Sequence, residues 1–235
     1  NFADGELPVR NIEVSFNTLD TFGYSGMTCK SWWEGTNSIH DNTIDTTGLL
    51  KDGTAIQRDG ISVLSATCDI YNNKIFNTGD GKAASPTAQS LKLYVHNGPL
   101  TGVTFQGFGP YTTFPYSIYN NLIVNGAKVG ITVGRSSTSV VPPVPSIYNN
   151  TVTQCTELGI TTSDTGGGFV RNNIVIENNN GGTQISSSLA VAGANKITGT
   201  VGSVFVSPTE LLTGNYALNS AVPVWGSSSG VGTDI

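Results

Sequence analysis

Charge is scarce in this chain: 11 Lys and Arg stand against 16 Asp and Glu, a net charge of −5 over 235 residues. That balance excludes a nucleic-acid binder driven by overall positive charge. Long apolar runs are missing as well, and no stretch approaches the ~18 residues of a membrane span. Cysteine is rare. Cys29, Cys68 and Cys155 are odd in number and lack metal-ligand spacing, so they read as small buried hydrophobes. Ala, Leu, Glu and Lys give way to Asn, Ser, Thr and 29 Gly, which excludes a helical bundle. Disorder is excluded because β-branched and aromatic residues recur at regular intervals. With no signal peptide or initiating Met, Asn1 reads as a mature or trimmed start, or the start of a fragment. The low charge and polar surface suit an extracellular setting: secreted, on a cell surface or on a virion.

What is present is a repeat. Asn, one residue, then Leu, Ile or Val recurs, anchored on Asn17, Asn42, Asn73, Asn121, Asn150, Asn173 and Asn195. The interval from 73 to 121 is 48 residues, twice the usual one, and Asn97 falls at its midpoint. Counting Asn97, the intervals run from 22 to 31 residues. A second phrase, Gly then Ile or Met then Ser or Thr, starts at Gly26, Gly60, Gly130 and Gly159, with Ser90-Leu91-Lys92 in the same slot. Two strand signals per period, joined by Gly, Asn, Ser and Pro turns, describe a solenoid. Helical periodicity and a leucine-rich frame are absent, and a propeller blade of ~40–50 residues is too long. The expectation is therefore all-β: a right-handed parallel β-helix of roughly eight coils over residues 1–200. Residues 201–235 are expected to form a tail that packs on or caps it.

Alternation puts Leu19, Ile44, Ile75, Ile123, Val152, Val175 and Ile197 on one inward row, and Ile70, Ile118 and Ile147 on another. The Asn anchors are expected to stack as an amide ladder, with Asp41 replacing the Asn that elsewhere precedes the anchor. His40 and His96 lie far apart and read as structural. Asn149-Asn150-Thr151 is a formal glycosylation sequon inside the ladder and reads as inert. Residues 44–66 and Val140-Val141-Pro142-Pro143-Val144-Pro145 read as insertions that project from the rod. Both ends of such a rod expose strand edges. Nothing in residues 1–10 resembles a cap, so the first coil is expected to meet a preceding domain or another copy.

The Ile-Tyr-Asn-Asn phrase resembles the right-handed parallel β-helix proteins of the pectate-lyase-like superfamily, which include polysaccharide lyases and phage tailspikes. The resemblance covers residues 10–200. Phe205-Val206-Ser207-Pro208 and Asn215-Tyr216-Ala217-Leu218-Asn219-Ser220 are similar to the tail of many extracellular members. Gly26-Met27-Thr28-Cys29-Lys30-Ser31, followed by Asn37 and Asn42-Thr43, is similar to a stretch of alginate and chondroitin lyases. That likeness implies Lys30 as the base of a β-elimination and Arg58, one coil later, as its assistant. The acidic calcium cluster expected upstream is not recognisable, since Glu13 has Asp20 as its only near companion.

Aligning coils on the second phrase puts Lys30, Arg58, Lys92 and Lys128 on one outward strip with Tyr24 and Tyr94, and Lys82 and Arg135 at its rim. Trp32 and Trp33 follow Lys30, one expected to point outward as a sugar platform. A basic, aromatic strip on an acidic protein fits an acidic polysaccharide: cations pair with uronate carboxylates and rings stack on Tyr or Trp. A soluble strand face with scattered Lys has the same composition. Asp20 and Asp45 each lie three residues after an anchor in adjacent coils. Two close carboxylates share a proton, bind Ca²⁺, or form a retaining-hydrolase pair at ~5–5.5 Å. Their slot later holds Phe76, Val124 and Ile176, with Leu122 and Ile174 nearby. A contiguous apolar row marks a contact, to be filled by the C-terminal segment or by a neighbouring subunit.

The leading expectation is an extracellular β-helix that engages an acidic polysaccharide, with β-elimination as the activity the resemblance implies. One rival is a non-catalytic structural or adhesive β-helix, such as a tailspike segment, surface fibre or filament subunit. The other is a glycoside hydrolase using Asp20 and Asp45.

Overall fold

The computed structural model describes residues 11–22, 25–30, 36–47, 59–64, 68–78, 89–95, 114–126, 128–135, 143–163, 165–191, 195–207 and 215–218. The chain winds in three-strand coils. The first coil is β1 (Glu13–Ser15), β2 (Thr18–Phe22) and β3 (Met27–Lys30), and the second is β4 (Ser38–His40), β5 (Thr43–Thr47) and β6 (Ile61–Leu64). The third is β7 (Cys68–Tyr71), β8 (Lys74–Phe76) and β9 (Gln89–Val95), and the fourth is β10 (Phe114–Tyr119), β11 (Leu122–Val124) and β12 (Val129–Arg135). The fifth is β13 (Pro143–Tyr148), β14 (Thr151–Thr153) and β15 (Leu158–Thr162). The sixth is β16 (Phe169–Arg171), β17 (Ile174–Ile176) and β18 (Ile185–Ser187), and β19 (Ala190–Val191) opens a seventh. Every third strand pairs in parallel, giving sheets of seven, six and six strands. The fold is an all-β parallel β-helix.

Inward rows fill the interior. Ile39, Ile70, Ile118, Ile147 and Val170 come from the first sheet, and Ile44, Ile75, Ile123, Val152 and Val175 from the second. The third contributes Ile61, Ile131 and Ile160, and all these residues are fully buried. Branched side chains suit this stacked, pleated packing.

Two adjacent Asn residues turn each corner from the first sheet to the second, for two separate reasons. The first sits in the left-handed region, with φ of 53–55° at Asp41, Asn72, Asn120, Asn149 and Asn172, a conformation Asn and Asp tolerate best. Phe16 occupies the same slot at φ 57° and is 78 % exposed. The second Asn builds the ladder. Asn73 donates its backbone N–H (3.1 Å) and Nδ2 (3.0 Å) to Asn121 Oδ1, and Asn121 donates likewise to Asn150 Oδ1. The chain of amides runs from Asn17 to Asn195.

The corner before the third sheet needs glycine for space. A Cβ at Gly26 would lie 2.7 Å from Ile44 Cγ2 and 2.8 Å from Gly60 O. At Gly130 it would run into Val152, and at Gly159 into Val175. The Gly-led phrase therefore marks where the backbone meets the aliphatic row of the second sheet.

Four expectations need correction. Residues 44–66 do not project as a unit, because Ile44–Thr47 belongs to β5 and Ile61–Leu64 is β6, with Ile44, Ile61 and Val63 fully buried. Asn73 bonds Asn121 directly and β7 pairs with β10, so no rung lies between them and the 48-residue interval is one coil. Asn97 itself is outside the described residues. The described half of the Pro-rich stretch does not project: Pro143, Val144 and Pro145 are in β13, in register with Phe114, Pro115 and Tyr116, while Val140, Val141 and Pro142 lie outside the described residues. Extended proline geometry is close enough to β to join a ladder as one sheet's flank. Ile197 is not on the inward row but 50 % exposed. The chain keeps one bridge at Lys196, to Ile174, and then leaves the sheet.

The outward apolar row is covered within the chain. Phe76, Leu122, Val124, Ile174 and Ile176 form a second buried cluster with Val201, Val204 and Phe205. Val201–Val204 is one helical turn, and Phe205–Ser207 then pairs antiparallel with Asn215–Leu218.

Candidate functional site

The third sheet carries Lys30, Lys92 and Arg135. Register puts Thr28, Ser62, Lys92, Thr132, Thr161 and Ser186 in one row, alternate to the inward row of Ile61, Ile131 and Ile160. Lys30, Leu64, Tyr94 and Gly134 form the next. Neighbours within a row are one strand spacing apart, about 4.8 Å. Lys30 and Lys92 therefore lie two strands and two residues apart, on rows of the same parity. Arg135 pairs with Val95 and falls on the alternate row, five residues after Gly130. Lys128 precedes β12, and its Nζ is 3.3 Å from Glu157 Oε1 on the next coil. That ion pair matches its charge locally and takes it out of the free cations of the strip.

The middle of the Lys92 row is recessed. Thr28 and Ser186 at its ends are exposed, but Ser62 and Thr132, the two register partners of Lys92, are buried. Thr132 Oγ1 has no hydrogen-bond partner. A buried hydroxyl left unpaired costs about 1–3 kcal/mol, and because the Thr132 oxygen is itself buried it is not a contact for a ligand lying on the sheet. Tyr24, Trp32, Trp33, Arg58 and Lys82 lie outside the described residues.

Two of the residues that resemble a lyase stretch serve the architecture. Asn42 is a buried rung of the ladder. Asn37 is buried, and its Oδ1 accepts the Ile12 N–H at 3.0 Å.

Asp20 and Asp45 are register partners on β2 and β5. Asp45 Oδ1 accepts from Asn77 Nδ2 at 2.7 Å, and Asn77 Oδ1 accepts from Asn125 Nδ2 at 2.7 Å. Asp45 thus heads an exposed polar chain along the second corner. Among the described residues no group of three or more His, Cys, Asp or Glu side chains is placed to hold a metal.

Sequence reasoning missed a ring stack on the first sheet. His40, Tyr71, Tyr119 and Tyr148 stack at centroid distances of 4.5, 4.9 and 5.0 Å, within 7° of parallel. Phe169 continues it at a tilt, with the Arg171 guanidinium 4.3 Å from its ring centre. The signal was the ring one residue before the left-handed Asp or Asn in four successive coils, at His40, Tyr71, Tyr119 and Tyr148. His40 is buried, its Nδ1 2.7 Å from Asp41 Oδ2 and its Nε2 3.1 Å from Glu13 Oε1. His96 is outside the described residues. The rings cover one another's faces, which removes them as sugar platforms. Burial, helped by the neighbouring Tyr148 and Tyr71, pushes the Tyr119 hydroxyl up to about 12, so it stays protonated at neutral pH.

All three cysteines are free and buried. No helix among the described residues is long and apolar enough to cross a membrane. No family model matches the chain, and neither does any curated protein or solved structure.

Proposed function

We propose that this chain is an extracellular protein that binds an acidic polysaccharide across the coils of its third sheet. Lys92 and Lys30 pair with uronate carboxylates, and Tyr94 packs on a sugar ring. The observation that carries this reading is the register of the third sheet, which sets Lys30, Lys92 and Tyr94 on two rows of the same parity across three successive coils. The finer version assigns the chain to the pectate-lyase-like superfamily, with Lys30 as base and Arg58 as its assistant in β-elimination. Calcium enters only through Asp20 and Asp45.

The structural or adhesive alternative drew support from an apolar stripe waiting for another subunit. That support is gone, because Val201, Val204 and Phe205 bury the stripe within the chain.

Affinity electrophoresis through gels holding alginate, pectate, chondroitin or hyaluronan tests the reading, with Ca²⁺ and with EDTA. Retardation in at least one acidic gel, weakened in Lys92→Ala by about 10–100-fold in affinity, is expected from loss of one charge-assisted hydrogen bond. Equal mobility in all gels overturns it. The same incubations, followed by ultraviolet absorbance of the unsaturated uronate, decide the lyase version: it requires a rise that Lys30→Ala abolishes.

A further inference from the structure

The corner that follows the second sheet uses a left-handed residue in each of four coils: Asn77, Asn125, Gln154 and Glu177, at φ 49, 58, 61 and 53°. Among residues with a side chain, Asn accepts this conformation most readily. Asn77 and Asn125 also extend a hydrogen-bonded chain that begins at Asp45. At the next two coils the sequence gives up both advantages. Gln154 and Glu177 are longer side chains in a backbone conformation that disfavours them, and neither side chain has a hydrogen-bond or ion-pair partner among the described residues.

These two residues line a cleft of about 890 Å³. Asn125 lies on the same wall, and Ile197, Thr198 and Thr200, from the segment leaving the last coil, line it too. The left-handed conformation recurs at other corners, but at the corner after the second sheet the long side chains that bear it, Gln154 and Glu177, both line the cleft, and a disfavoured residue kept at such a wall points to function there. We propose that this cleft is a binding site for a neutral, hydroxyl-rich saccharide.

The lining chemistry selects that class. Glu177 is the one ionised group among the described lining residues, so a polyanion is repelled and the acidic polymer assigned to the third sheet is excluded from this site. A carboxylate and a primary amide on adjacent coils, about one strand spacing apart, match adjacent sugar hydroxyls: the carboxylate accepts, and the amide both donates and accepts. Ile197, half exposed at the rim, offers an aliphatic surface for the C–H face of a ring. A cationic peptide would need more than one carboxylate.

The test is isothermal titration of the full chain with cellohexaose, maltohexaose and mannohexaose, with hexalysine and oligogalacturonate as charged comparators. At least one neutral hexasaccharide is expected to bind, and more tightly than oligogalacturonate in a chain carrying Lys92→Ala. Gln154→Asn and Glu177→Asn, which restore the residue used at positions 77 and 125, are expected to weaken that binding by at least about tenfold. They are also expected to raise the melting temperature by about 2–4 °C each. Binding of none of the three neutral sugars overturns the proposal, as does binding unchanged by both variants. Glu177-dependent binding of hexalysine without any sugar overturns the saccharide assignment. A fall in melting temperature in either Asn variant shows that the long side chains serve the fold instead, and this also overturns it.

Discussion

Asn121 sits at the centre of the amide ladder, and its removal tests the ladder most directly. The residue is fully buried. Its Nδ2 donates to Ile70 O at 2.9 Å, Tyr119 O at 3.1 Å and Asn150 Oδ1 at 2.9 Å. Its Oδ1 accepts from Asn73 N–H at 3.1 Å and from Asn73 Nδ2 at 3.0 Å. Asn121→Ala leaves the buried Asn73 N–H without an acceptor, which costs about 1–3 kcal/mol. The two carbonyls lose a donor each, at about 0.5–1.5 kcal/mol apiece. Tyr119 O keeps the Asn72 N–H at 3.3 Å, so its share is at the low end. The sum is about 2–5 kcal/mol. Asn17→Ala, at the exposed first rung, loses bonds to Ser15 O and Asn42 Oδ1 that water replaces, and costs less than about 1 kcal/mol. Asn121→Asp is expected to be worse than Ala, because it faces two carbonyls and an amide oxygen with a buried carboxylate. Urea unfolding followed by circular dichroism reads these costs from the midpoint at constant slope. If Asn121→Ala and Asn17→Ala agree to within about 1 kcal/mol, the ladder is not what holds the corner and the reasoning fails.

Gly130→Ala forces a methyl against Val152 and to 2.7 Å from Gly159 O; a loss of about 1–3 kcal/mol is expected from overpacking, and a thermal midpoint equal to wild type would show that the corner yields. Phe16→Asn relieves a left-handed Phe with little buried area to lose, so stability is expected to rise by about 1 kcal/mol, again read in urea. Burial pushes the thiols of Cys29 and Cys155 up to about 12 from an ordinary 9.0 and raises Cys68 as well. The unfolded chain therefore ionises its thiols first as pH rises. Their stabilising share is intact below about pH 9 and declines above it, by about 1.4 kcal/mol per pH unit for a fully buried thiol. A Cys155→Ala chain should lose stability less steeply between about pH 9 and pH 11, and an identical slope would refute the assignment.

How far the sequence could be read depended on what kind of signal each residue carries. Asn42, Asn73, Asn121 and Ile70, Ile118, Ile147 repeat at a fixed offset, and a solenoid turns a fixed offset into stacking. The outward rows of Lys92 and Lys30 followed from the same counting. Asn97 shows the limit: two coils of 24 residues and one of 48 leave the same spacing, and only pairing across the gap separates them. The Gly of the second phrase was visible as a marker, but its cause, the close approach to Ile44, Val152 and Val175, lies between sheets and leaves no trace along one strand. The ring stack was visible as spelling, with Tyr71, Tyr119 and Tyr148 in one slot. His40 and Phe169 complete it in two different ways, one in register and one diagonal, and neither continues the spelling. Gln154 and Glu177 left no signal at all, since nothing marks them as left-handed until the corner is seen.

The three outer faces of the rod differ in what remains available on them. The first sheet has spent its aromatic faces on one another, from His40 to Tyr148. On the second sheet the apolar row from Phe76 to Ile176 is roofed by Val201, Val204 and Phe205. The third sheet sets Lys92 in register with Ser62 and Thr132, and the segment that leads into the roof of the second sheet lines a cleft with Gln154 and Glu177. Cationic donors on one side and a lone carboxylate with an amide on the other cannot favour the same polymer at both sites. A single heteroglycan carrying both acidic and neutral sugars would satisfy both, and a chain that met only a homopolymer of uronate would have no use for the strain stored at positions 154 and 177.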